Sequence, residues 1–246
     1  FLAINIERAL AFRVHFVLLI LLDLCFYSVT LLTIDFTFRQ VGPLGGWSRE
    51  HFLFYASFML AVDQLHMAFI SESFWNFSTD IRTGALDFTL LRPAHPFFRF
   101  IRVGSIPLFF VAWALMIHFG LAVELSLLAW ILLPAMVVLS FALIFAIEIM
   151  LMMSGFWLVD SLGMNFVRIQ LQDVSRWPDI VYHQFFRRIF TFVVPVLLAS
   201  TAPVRFLFDQ GHWEGVAATA FALLAISVLN NFLWKIGTRR YESASS

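Results

Sequence analysis

The chain has 246 residues, 61% apolar and 13% charged, with 16 basic against 16 acidic side chains and a mean hydropathy of +0.87. A soluble domain is about half apolar and about a quarter charged, so this composition excludes one and places the chain in the membrane class. The zero net charge implies no nucleic acid or other acidic partner, and the single cysteine, Cys25, closes no internal disulfide.

The first residue is Phe1 rather than Met, which points to residues preceding it. The first apolar run is too long for a signal-peptide core and lacks a small-residue cleavage site, so it reads as a retained membrane helix. A helix needs roughly 20 apolar residues to cross about 30 Å of hydrocarbon. Six runs qualify, at about 14–36, 52–75, 103–123, 127–153, 189–208 and 215–234. The third and sixth contain no Asp, Glu, Lys or Arg. The second is the least apolar, because it holds Asp63, His66 and Glu72, and the fifth carries Pro195 and Pro203, which remove backbone donors. The chain therefore reads as a single all-α polytopic domain over residues 1–246, with no linker or low-complexity tract.

Segments 1–13, 76–102, 154–188 and 235–246 fall on one side of these six spans and hold 13 of the basic residues. The other side has only Arg39, Arg49 and Arg205. Basic residues are retained in cytoplasmic loops, so both termini are expected to be cytoplasmic. Trp47, Trp75, Trp130, Trp157, Trp213 and Trp234 lie near the expected span ends, where amphipathic rings prefer to sit.

The loop 76–102 carries TGALDFTLLRPAHP at 83–96. Leu86 and Leu90 are one helical turn apart, with Ala85 and Leu91 beside them, which gives a short helix an apolar stripe. Asp87 suits the start of such a helix, and Pro93 stops it just after Arg92. An element of this kind lies on a membrane surface or fills a groove on a soluble partner, and pattern alone does not choose.

Four ionisable residues fall inside expected spans: Asp23, Asp63, His66 and Glu148. Charge at mid-membrane is costly, so these face the bundle interior. They either line a pathway or subunit interface, or pair with one another and with polar groups such as Ser154. A metal site on Asp63, His66 and Glu72 has compatible spacing but lacks the cysteine or second histidine of a typical set, and none is expected. His118 stands alone and reads as a packing residue. The 31 phenylalanines suit lipid-facing and packing surfaces more than a lined path.

The stretch Gly84, Ala85, Leu86, Asp87, Leu90, Leu91, Arg92, Pro93 resembles the cytoplasmic signature of ABC-2 type permeases, in the subgroup with paired membrane subunits and a separate ATPase. RWPDIVYHQFFRRIFTFVVPVLLASTAP at 176–203 and FLWKIGTRRYESASS at 232–246 resemble that subgroup's stretch around its fifth helix and its C-terminal tail. The resemblance implies that Gly84, Leu86, Asp87, Leu90, Leu91, Arg92 and Pro93 form a coupling helix gripped by the ATPase. A second contact would lie around 170–176, at Arg176, and residues 1–13 would hold an amphipathic interfacial helix. It further implies two copies of an ABC ATPase, a second permease, related or identical, and surrounding membrane lipids, in the inner or plasma membrane, with export as the direction. No G-x-x-x-x-G-K-[ST] phosphate loop occurs, and VGPLGGW at 41–47 lacks the lysine, so ATP and Mg are expected on the partner and no cofactor on this chain. Two other readings are an intramembrane lipid-modifying enzyme built on Asp63, His66 and Glu148, and a non-transporting scaffold or immunity subunit. The first lacks a nucleophile–base motif. No residue identifies the cargo.

Overall fold

The computed structural model of the chain describes residues 13–69, 80, 83, 105–158 and 162–240. The expected coupling residues Gly84, Leu86, Asp87, Leu90, Leu91, Arg92 and Pro93 lie outside the described residues, as do Glu72 and most of the expected interfacial helix.

The described residues are all-helical, apart from one isolated bridge between Leu44 and Trp47. The principal helices are α1 (Arg13–Val41), α2 (Arg49–Phe69), α3 (Ser105–Ala122), α4 (Leu127–Met153), α5 (Leu162–Ser175), α6 (Gln184–Arg188), α7 (Val196–Phe208) and α8 (Trp213–Arg240). Three stretches are long and apolar enough to cross a membrane: Val17–Val41, Leu127–Phe156 and Gln210–Arg239. A fourth exists if the bent pair Gln184–Val193 and Val196–Phe208 counts as one span. The apolar part of α3, Pro107–Ala122, is shorter, and α2, diluted by Asp63, Gln64 and His66, is not among the candidates.

The polar residues on α1 fit an apolar helix because their hydroxyls bond back to their own backbone. Ser28, Thr30, Thr33 and Thr37 each donate to the carbonyl four residues earlier, at 2.7–2.9 Å. This leaves Leu18, Leu22, Val29, Leu32 and Phe36 exposed along the helix. The end of α1 is pinned by Asp35, which pairs with Arg39 at 2.9 Å and also with Arg49 at the start of α2. Between them, Gly45 adopts φ +57°, and a side chain there would meet Ile180 at 3.1 Å. Glycine serves both needs, a left-handed turn and a close approach.

α2 forms the centre of the bundle. Phe52 to Val62 are buried throughout, packed chiefly on α3 and also on α1 and α4. Trp47 meets Phe52 and Phe208 edge-on, with ring centroids 5.5 and 5.3 Å apart, so the end of α7 closes over the start of α2. α4 starts at Ser126, whose hydroxyl accepts the Ala129 N–H at 3.1 Å and the Gln210 amide at 2.9 Å. It then packs against α7 and α8. At its far end α8 crosses close by, and a Cβ on Gly237 would sit 2.4 Å from the Phe156 ring.

Two features differ from the sequence expectation. The run 189–208 is not one straight span: Gln184–Val193 and Val196–Phe208 meet at 95°. The break falls at Pro195, which has no N–H to continue the ladder, after a π-helical turn over Ile189–Val193. In addition, the end of segment 154–188 touches segments that were expected apart from it. Asp179 accepts from Arg205 at 2.7 Å and Ile180 lies against Gly45, and both of these partners belong to segments expected on the opposite side. The amphipathic α5 separates the two halves of 154–188, and its Arg168, Asp173 and neighbouring Arg176 conceal it from a search for apolar runs.

Candidate functional site

Three helices bring the intramembrane ionisable residues together. Asp63 and His66 are on α2, Glu148 is near the end of α4, and Gln172 is on α5 with Arg176 just beyond it. His66 Nε2 lies 2.5 Å from Glu148 Oε2, and the Gln172 amide nitrogen donates to Glu148 Oε1 at 2.8 Å. The same amide nitrogen lies 3.1 Å from His66 Nδ1. One assignment satisfies all three contacts: a neutral imidazole protonated at Nε2 donates to Glu148, while the two amide hydrogens of Gln172 go to Glu148 and to His66 Nδ1. His66 and Glu148 are each 2% exposed, so this matching is what makes a buried carboxylate tolerable. Arg168, also buried and one turn before Gln172, is within electrostatic reach of both Glu148 and Asp63.

Arg176 extends the cluster. Its guanidinium pairs with Asp173, approaches Asp63 Oδ2 at 3.8 Å, and lies 4.9 Å above the Phe26 ring. Arg176, which the resemblance assigns to a contact with an ATPase, makes these contacts within the chain and keeps its side chain 29% exposed. Asp23 is half-buried one turn before Tyr27, whose hydroxyl reaches Leu60 O at 3.5 Å. Ser154 takes no part, since its hydroxyl donates to Leu151 O. His118 lies exposed on α3, edge-on to Phe119.

The void between Asp63, His66, Gln172 and Arg176 is about 20 Å³. That admits a single water and no cargo. The arrangement therefore ties α2, α4 and α5 to one another through polar contacts. Among the described residues no three His, Cys, Asp or Glu side chains converge to hold a metal ion.

A second cluster escaped the sequence reading. Asp179 pairs with Arg187 at 2.5 Å and Arg205 at 2.7 Å, and its N–H donates to the Thr201 hydroxyl at 3.1 Å. Tyr55 donates to Ser175 O at 2.7 Å and Tyr182 to Val174 O at 2.9 Å, so two phenols cap the end of α5. Burial, reinforced by the charge of Asp173, pushes the Tyr182 hydroxyl up to about 12, so it stays a donor at neutral pH. No apolar period marks these residues. The available signal was Gln172 and Arg176 at helical spacing, which places both on the face of α5 that meets Asp63 and His66.

A family model of ABC-2 family transporter proteins matches residues 24–245. The chain belongs to that family. No curated protein and no solved structure gives a match. The match spans every described helix from α2 to α8 and most of α1, so both polar clusters belong to the ABC-2 membrane domain. The chain is an ABC-2 type permease, a membrane protein of apolar helices.

Proposed function

We propose that the chain is one membrane subunit of an ATP-driven exporter, powered by a separate ATPase expected in two copies and paired with a second permease, identical or related. Family membership over 24–245 carries this reading. The absence of a phosphate-loop motif from the 246 residues supports a separate energy source, with ATP and Mg bound there. In this reading 84–93 is the docking element, and its leucines supply the grip while Asp87 and Arg92 set register. Alternating access follows from packed helices moving between discrete arrangements. The chain itself is read as a non-enzyme, because the His66–Glu148–Gln172 cluster has no room for a reacting group. The direct test is ATP turnover and transport by the co-purified assembly, with Leu90→Asp as the uncoupling variant.

We also propose six crossings with both termini cytoplasmic, made by α1, α2, α3, α4, α5 and α8. α5 spans about 21 Å at 1.5 Å per residue, and a bend at Trp177 and Pro178 leads from it into the 3-10 turn Asp179–Val181. Residues 178–208 then form an arm that dips inward to Pro195 and returns along α7. Contacts of Asp179 with Arg205, and of Ile180 with Gly45, support this path. Basic residues remain more numerous on the inner side, where 1–13, 76–102 and 235–246 hold nine. With Cys25 replaced by serine, Val181→Cys and Pro43→Cys are expected to react with a membrane-impermeant maleimide in intact cells, and Ser246→Cys only after permeabilisation. Labelling of Val181→Cys only together with Ser246→Cys would refute the α5 crossing.

A further inference from the structure

Between the arm (α6 and its π-helical turn), α7 and the start of α8 lies a cavity of about 590 Å³. Cavities of roughly 300–1,000 Å³ hold small ligands. Its lining joins apolar side chains, among them Phe192 and Leu197, to three arginines, Arg187, Arg188 and Arg205. Asp179 is 7% exposed and holds Arg187 on one carboxylate oxygen and Arg205 on the other. One carboxylate between two guanidinium groups leaves a positive charge over. Arg188 adds another, and Glu214 in the same lining offsets one. The cavity is therefore net cationic.

The arginines are also placed to donate. Each guanidinium carries five N–H groups, and the pairs with Asp179 run through one terminal nitrogen of each. The side chains of Arg187 and Arg205 remain 42% and 30% exposed. Asp179, fixed in turn by Thr201, thus acts as an internal brace that orients two forks without neutralising both. Forked donors of this kind recognise phosphate through paired hydrogen bonds.

The arm itself indicates the source of the phosphate. Phe185, Phe192 and Val193 are 62%, 81% and 73% exposed, within the same short segment as Arg187 and Arg188. A segment with large exposed apolar groups beside basic ones lies in the headgroup zone of a bilayer. We propose that this cavity binds the phosphate of an anionic lipid, with Arg187, Arg188 and Arg205 on the headgroup and an acyl chain along Phe192 and the half-buried Leu198. Free phosphate would use the same arginines but none of the apolar lining.

The test needs no ATPase, so its failure and that of the export reading are distinguishable. The full chain is placed in bilayer discs of phosphatidylcholine and phosphatidylglycerol, then released into detergent and weighed with its retained lipid by native mass spectrometry. Charge-assisted contacts predict that phosphatidylglycerol is retained about tenfold over phosphatidylcholine. The double variant Arg187→Gln, Arg188→Gln should bring this close to parity, and inorganic phosphate should not displace the lipid. If the double variant folds poorly, Arg188→Gln carries the test, since Arg188 forms neither Asp179 pair and should still lower the preference severalfold. Equal retention of both lipids by the wild type, or an unchanged preference in Arg188→Gln, overturns the proposal. Displacement by inorganic phosphate overturns the lipid assignment.

Discussion

Glu148→Ala is expected to lower the unfolding free energy by about 3–5 kcal/mol, the usual cost of removing one partner from a buried pair. The physical reason is what remains behind. His66 and Gln172 are 2% and 9% exposed, and both direct donors at Glu148. Without the carboxylate those buried donors lose their acceptor, and the truncated side chain leaves a cavity beside them. Glu148→Gln keeps the volume and one acceptor and should cost substantially less. The paired variant Glu148→Leu, His66→Leu should cost less than the sum of the two single changes, because it removes the donor along with the acceptor. Unfolding of the detergent-solubilised chain measures all of these. Additive losses would show that the two side chains do not act as a pair.

Leu90→Asp is expected to abolish transport-coupled ATP turnover while leaving the chain inserted in the membrane. Each large apolar side chain buried at a docking surface contributes about 1.5–3 kcal/mol. Replacing one by a carboxylate removes that contribution and adds a desolvation penalty, which weakens docking at least about tenfold. Asp87→Lys reverses a register-setting charge and should disturb coupling more than binding. The measurement is the ratio of ATP turnover with and without transport in the assembled complex, which should fall to one. A ratio unchanged by both variants would contradict the coupling role of 84–93.

How far the sequence could be read depended on whether a helix announces itself by apolarity. The fourth span was legible to the residue at 127–153, since its run is unbroken and Ser126 caps it. α1, α3 and α8 also appeared, extended by a few residues at one or both ends for α1 and α8. The fifth run was expected as one straight helix because composition cannot see a bend. Residues 189–208 are apolar on both sides of Pro195, and only the missing N–H separates them. α5 was hidden for the opposite reason, since its polar face is turned towards Asp63 and Glu148 within the bundle. The ionisable residues Asp63, His66 and Glu148 stood out as costly charges in apolar surroundings. Pairing with one another was one of the two readings open to them; the part of Gln172, an uncharged residue 106 positions from His66, was not legible. Asp179 was unremarkable in sequence, and only the fold brings Arg187 and Arg205 to it from both directions along the chain.

In the proposed assembly, 84–93 is gripped from the cytosol by a nucleotide-hydrolysing partner. A photo-reactive amino acid placed at Leu90 in the full chain, irradiated in intact membranes, tests it most directly. One dominant adduct to an ATP-binding chain is expected, weakened when the partner is locked away from the membrane domain. Adducts to lipid alone, or to components outside the cell, would contradict it.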